Sequence, residues 1–78
     1  MSDQFRIMTH VPRRPVRTDG PYDSLREATA AQARIQKVVK TAWAREKRAE
    51  ASQWIERKDE GGSAWMSVGT VIDFEVGK

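Results

Sequence analysis

The sequence predicts an α+β fold in which one long helix packs on a three-stranded antiparallel sheet, or a four-stranded one if the last residues pair, in the order β-α-β-β. Three observations carry this expectation. An apolar stripe at helical spacing begins at Ser24 and runs toward Glu50. An alternating segment precedes it, and two more follow, joined by a polar, glycine-bearing connection. Seventy-eight residues make one domain, residues 1–78, close to the size below which chains need staples to fold alone.

The first strand is Phe5-Arg6-Ile7-Met8-Thr9-His10-Val11. Phe5, Ile7, Thr9 and Val11 share one face, and Arg6, Met8 and His10 share the other. Pro12 ends it, because proline has no amide hydrogen for the ladder. Residues 12–21 read as a connector rich in proline and arginine, with Asp19-Gly20-Pro21 as a turn.

Ser24-Leu25-Arg26-Glu27 has the pattern of a capping box, in which Ser24 accepts from the Glu27 amide and the Glu27 carboxylate reaches back. Leu25, Ala28, Ala31, Ile35, Val38 and Ala42 then recur at three- and four-residue intervals, with Val39 beside them. No breaker lies between Lys40 and Glu50. A helix from Ser24 to Glu50 would be roughly 40 Å long, against about 20 Å for the strands. Either it breaks after about Ala42–Arg45, or its end overhangs the sheet and meets another molecule, for instance a second copy.

Ser52–Arg57 and Ala64–Val68 read as a strand pair joined through Gly61-Gly62. Thr70–Val76 alternates too, so residues 70–78 form a fourth strand, a continuation of the third through Gly69, or a tail. Trp54 and Trp65 fall on the hairpin, where the favoured reading is a core against the alanine-rich stripe. On the open sheet face they would instead be a stacking platform or a protein-binding hot spot. Trp43, near the helix end, either caps the core or joins an interface.

Composition narrows the chemistry. Cysteine is absent and His10 is the sole histidine, which removes disulfides, thiolate sites and multi-histidine metal sites. His10 on a strand lacks a nucleophile and an orienting group, and Asp59-Glu60 and Asp73/Glu75 occupy a turn and a solvent face. No lysine-bearing glycine loop for phosphates is present. The expectation is therefore no catalytic site, no cofactor and no metal. Residues 1–15 contain no signal-like apolar run and no stretch is long enough to span a bilayer, so a cytoplasmic protein without membrane contact is expected.

The formal net charge is +3. Residues 23–50 carry seven basic and four acidic side chains, whereas residues 51–78 carry three and five. Arg13, Arg14 and Arg17, flanked by prolines, suit phosphate or carboxylate forks. Arg34, Lys37, Lys40, Arg45, Lys47 and Arg48 could track a nucleic-acid backbone, although solvated basic faces are common. The candidate binding surface is thus Arg13, Arg14, Arg17, Arg34, Lys37, Lys40, Trp43, Arg45, Trp54 and Trp65.

Phe5-Arg6-Ile7-Met8-Thr9, then Gly20-Pro21-Tyr22-Asp23-Ser24-Leu25-Arg26-Glu27-Ala28, then Trp54-Ile55-Glu56-Arg57 resembles a largely uncharacterised group of small accessory proteins of actinobacterial phages and prophages. These open with a strand, pass through a Gly-Pro-Tyr turn into an alanine- and arginine-rich helix, and close with a hairpin. Thr70–Lys78 lies outside the similar part. The resemblance implies a phage context and a host-cytoplasm setting, with no site residues. Combined with the absence of a catalytic set, it favours a non-catalytic protein that binds and modulates a host or phage protein. A small nucleic-acid-binding protein using the basic loop and helix is the alternative, and a virion component is a third.

Overall fold

The computed structural model describes residues 3–78. Its element order is β1 (Gln4–His10), β2 (Arg17–Tyr22), α1 (Leu25–Ala42), β3 (Ala49–Lys58) and β4 (Met66–Val76). The four strands form one antiparallel sheet in the order β2-β1-β3-β4, with α1 on one face. The α+β class and the helix-on-sheet arrangement are as expected, but the order is β-β-α-β-β.

The additional strand is the segment expected to be a connector. β2 pairs with β1 through Tyr22 opposite Phe5 and Thr18 opposite Met8, with a register shift between Phe5 and Ile7. Proline is tolerated there because β2 is an edge strand, so the missing amide costs no ladder bond. Gly20 is required by the close approach of β1: with φ at 132°, a Cβ would sit 3.1 Å from the Phe5 carbonyl oxygen. What reads as a turn in Asp19-Gly20-Pro21 is an irregular strand edge.

Helix α1 starts as its capping box dictates. The Glu27 amide donates to Ser24 Oγ at 3.1 Å, and Glu27 Oε2 accepts from the Asp23 amide, one residue before the expected partner. Ala28, Ala31, Ile35 and Val39 are buried, a spacing of three and four that faces the sheet. The stripe runs through Val39, so Val38 and Leu25 stay exposed. Opposite lie Phe5, Ile7, Ala51, Ile55 and Val76, with Val11 closing one end. Burial of Ile35 or Val39 contributes about 1.5–3 kcal/mol each, so this face, rather than helical propensity alone, fixes where α1 ends.

The helix stops at Ala42, about 27 Å from its start at 1.5 Å per residue. Trp43 takes the C-cap position, donating its amide to the Val39 carbonyl, while its ring packs against the core. The overhang proposed as a dimerisation element therefore does not exist. The break expected after about Ala42–Arg45 is the alternative the structure takes, and Ala49 and Glu50, which the longer helix would have held, begin β3 opposite Val76 and Glu75. The C-terminal residues clamp the loop between: the Lys78 amide donates to the Glu46 carbonyl, and the Arg48 amide donates to the Lys78 carbonyl. Strand β4 runs unbroken through Gly69, so the tail is the continuation of the hairpin strand.

Candidate functional site

Alternation along β1 and β3 decides which side chains meet the helix and which meet solvent. Ile7, Thr9, Gln53 and Ile55 are buried beneath α1. Trp54, flanked by Gln53 and Ile55, therefore points to the opposite face, where it lies across from Met8. The expectation that Trp54 and Trp65 build the core is overturned; neither belongs to the buried cluster. The four strands leave little room beneath a single helix, and alanine and β-branched residues fill it.

On this open face the rows run Thr18–Met8–Trp54, Arg6–Glu56–Ser67 and His10–Ser52–Asp73. Trp65 folds over the second row, with the Arg6 guanidinium 4.1 Å from its ring centroid and Lys58 Nζ at 5.3 Å. One ring face of Trp65 is thus already taken by a cation, which leaves Trp54 and Met8 as the accessible apolar centre. The Trp54 indole donates to Glu56 Oε2 at 3.1 Å, and Arg6 Nε donates to Glu56 Oε1 at 2.8 Å. Burial pushes the Glu56 carboxyl up, but the Trp54 and Arg6 hydrogen bonds and the Arg6 charge together hold it below its ordinary range. On the far side Ser52 donates to Asp73 at 2.9 Å. A half-buried Met–Trp centre with a paired polar rim has the anatomy of a protein-binding patch.

The basic residues do not converge on one site. Arg13 and Arg14 sit at one end of the molecule, where a cleft of about 690 Å³ opens between the β1–β2 loop and residues 46–50. Arg13 is held at a φ of 68°, and Arg14 lies 5.1 Å from the Trp43 ring centroid and 4.0 Å from Glu46. Glu46 and Glu50 line the same cleft, so its basic groups are partly neutralised. Arg17 belongs to β2 and is engaged by Asp19, whose hydrogen bond raises its pKa against the lowering by burial. Arg48 is likewise raised, by its hydrogen bond to Glu75. Arg45 is exposed on the loop after α1. Arg34 and Lys37 are exposed on the outer side of α1, and Lys40, also exposed, turns its ammonium toward the sheet, 5.8 Å from the Phe74 ring centroid.

Three surfaces result: the open sheet face, the end cleft and the outer helix face. Sequence reasoning missed Met8, Arg6, Glu56 and Lys58 on the first and Arg26 on the third. The signal for Met8 was available, since the alternation of β1 already places it opposite Phe5 and Ile7; its alignment with Trp54 needed the β1–β3 register. Among the described residues no group of three or more metal-ligating side chains comes together. No described helix is long and apolar enough to cross a membrane. Comparison with protein-family models, curated proteins and solved structures finds no match.

Proposed function

We propose that the protein is a non-catalytic binding protein that engages a protein partner through the open face of its sheet and modulates it. The observation that supports this reading most directly is the Met8–Trp54 pair at the centre of that face, rimmed by Arg6–Glu56, Lys58 and Ser52–Asp73. Tryptophan and arginine are the residues most often found to dominate binding energy, and a paired rim that excludes water strengthens what they contribute. Arg6 and Glu56 hold one another and Asp73 accepts from Ser52, an arrangement that fixes a surface. The resemblance to phage accessory proteins makes a host or phage protein in the cytoplasm the natural partner.

The test is capture from an actinobacterial lysate on the tagged protein, after nuclease treatment, compared with a Trp54→Ala variant shown to melt cooperatively. A single protein retained by the wild type and reduced at least tenfold by Trp54→Ala is expected, because a central tryptophan contributes about 2 kcal/mol or more. Equal capture by both proteins would move the binding site off the sheet face.

A further inference from the structure

The outer face of α1 carries a row of cations with no carboxylate partner among the described residues. The helix holds Arg26, Arg34, Lys37 and Lys40 against Glu27 alone, a net of +3, which equals the formal net charge of the whole chain. The remainder is neutral on balance, and its ion pairs show why. Arg6–Glu56, Arg14–Glu46, Arg17–Asp19, Arg48–Glu75 and the Arg57 pairs with Asp3 and Asp59 all lie off the helix. Glu27 is turned back into the N-terminal cap. Among the described residues, none of the four helix cations pairs with a carboxylate, and all four are exposed.

Their placement along α1 adds shape to charge. Arg26 marks one end, and Arg34 and Lys37 lie toward the other, about 17 Å separating Arg26 from Lys37 along the axis, while the Lys40 ammonium leans over the Phe74 ring. Between the two groups the outward positions are Ala30 and Ala33, both exposed. With Arg26 on one side of these alanines and Arg34 and Lys37 on the other, the helix can approach closely at Ala30 and Ala33. The major groove of B-form DNA is about 12 Å wide, so cations spread over ~17 Å reach the phosphates on both of its lips.

We infer that the outer face of α1 is a sequence-independent docking site for duplex DNA, separate from the protein-binding sheet face and not using the loop arginines. Arg17 is held by Asp19, and Arg13 and Arg14 line the end cleft, where Glu46 and Glu50 offset them. The face has no aromatic or methionine anchor of the kind that a protein partner would use, since Val38 and Leu25 are its exposed apolar side chains.

Titration of a fluorescent 25-base-pair DNA duplex against the full chain, from 50 to 200 mM salt, tests this. If Arg26, Arg34 and Lys37 meet phosphates, the log–log slope is about −2.7 and affinity falls roughly forty-fold over that range. An Arg34→Gln/Lys37→Gln double variant keeps two good helix formers and lowers the slope to about −0.9, with a fall of only about three- to four-fold. Arg13→Gln/Arg14→Gln and Trp54→Ala leave the slope unchanged, which separates this site from the sheet face. The inference is overturned if the duplex does not bind at 50 mM salt, or if the helix variant keeps the wild-type slope. It is also overturned if polyglutamate competes as well as unlabelled duplex, which would assign the face to an acidic protein surface. Circular-dichroism melts of each variant confirm that it is folded.

Discussion

Gln53 is the residue on which helix and sheet agree. It is fully buried, at 0% exposure, in the middle of β3, where an apolar residue would be the simpler choice. The Gln36 side-chain amide donates to Gln53 Oε1 at 3.0 Å, and the Gln53 amide reaches Thr9 Oγ1 at 3.4 Å and the Gln32 carbonyl at 3.5 Å. The first bond is well formed and the other two are long, so the network fixes the helix over the sheet more than it strengthens the core. Gln53→Ala removes the partner of Gln36 and opens a cavity, and it is expected to cost about 2–4 kcal/mol. Gln53→Leu fills the space and should cost less. Urea unfolding of both variants measures this; equal losses would show that volume is irrelevant there and hydrogen bonding is everything.

Glu56 makes a second residue-scale prediction. Its carboxyl is held below its ordinary range in the folded chain, chiefly by Trp54 and Arg6 acting against burial. A group whose folded pKa is depressed contributes stability that is fully present above its unfolded value, about 4.3, and lost as pH falls through the folded one. Thermal melts between pH 7 and pH 3 should therefore show a decline that begins near pH 5, and Glu56→Gln should flatten it. An unchanged acid limb in Glu56→Gln would assign the loss to other carboxylates.

Among the elements, the loop between α1 and β3 depends most on a single position. Gly77 has a φ of 82°, and a Cβ there would stand 2.7 Å from the Glu46 carbonyl oxygen and 2.8 Å from that of Lys47. Both the backbone conformation and the space require glycine. Gly77→Ala should break the Lys78–Glu46 and Arg48–Lys78 amide bonds and destabilise the chain by more than about 1 kcal/mol. Faster hydrogen exchange at the Arg48 amide, with the Ile55 amide slowed or unchanged relative to global unfolding, would locate the damage. Protection retained at Arg48 would mean the tail is not what holds the loop.

That clamp also explains what the sequence concealed. The cap at Ser24, the buried face of α1 and the strand character of residues 5–11 all follow from local pattern. The helix end does not, because Trp43–Arg48 are adequate helix formers, and it is the end of the buried face at Val39 together with the clamp from residues 76–78 that turns them into the loop before β3. β2 was concealed by the opposite effect: Gly20 and Pro21 are turn residues that an edge strand tolerates. Of the candidate site, the basic residues of α1 were legible from spacing. The Met8–Trp54 pair was not, because it joins strands separated in the chain by the whole helix.

At the scale of the whole molecule, charge and stability pull in opposite directions. The protein measures about 43 × 22 × 18 Å, with the ion pairs around the sheet and none on the cations of α1 among the described residues. Arg34, Lys37 and Lys40 follow one another at intervals of three, so each is the next one's neighbour on the helix surface. Like charges at that spacing destabilise a helix by about 0.2–0.5 kcal/mol per pair, which is about 2–8 °C in melting temperature for two pairs in a domain of this size. Salt screens that repulsion, and it also weakens ion pairs. Most of those pairs are exposed and contribute little, while Arg6–Glu56 is largely shielded, at 28% and 17% exposure. The repulsion therefore dominates the salt response, and the melting temperature should rise by a few degrees between 10 and 150 mM salt. Lys37→Gln removes both like-charge contacts at once; it should raise the low-salt melting temperature and flatten its dependence on salt. A melting temperature that falls with salt, or a Lys37→Gln chain that melts lower than the wild type, would show that the ion pairs control stability instead. A helix kept charged at a cost to its own stability is the expected mark of a surface retained for binding.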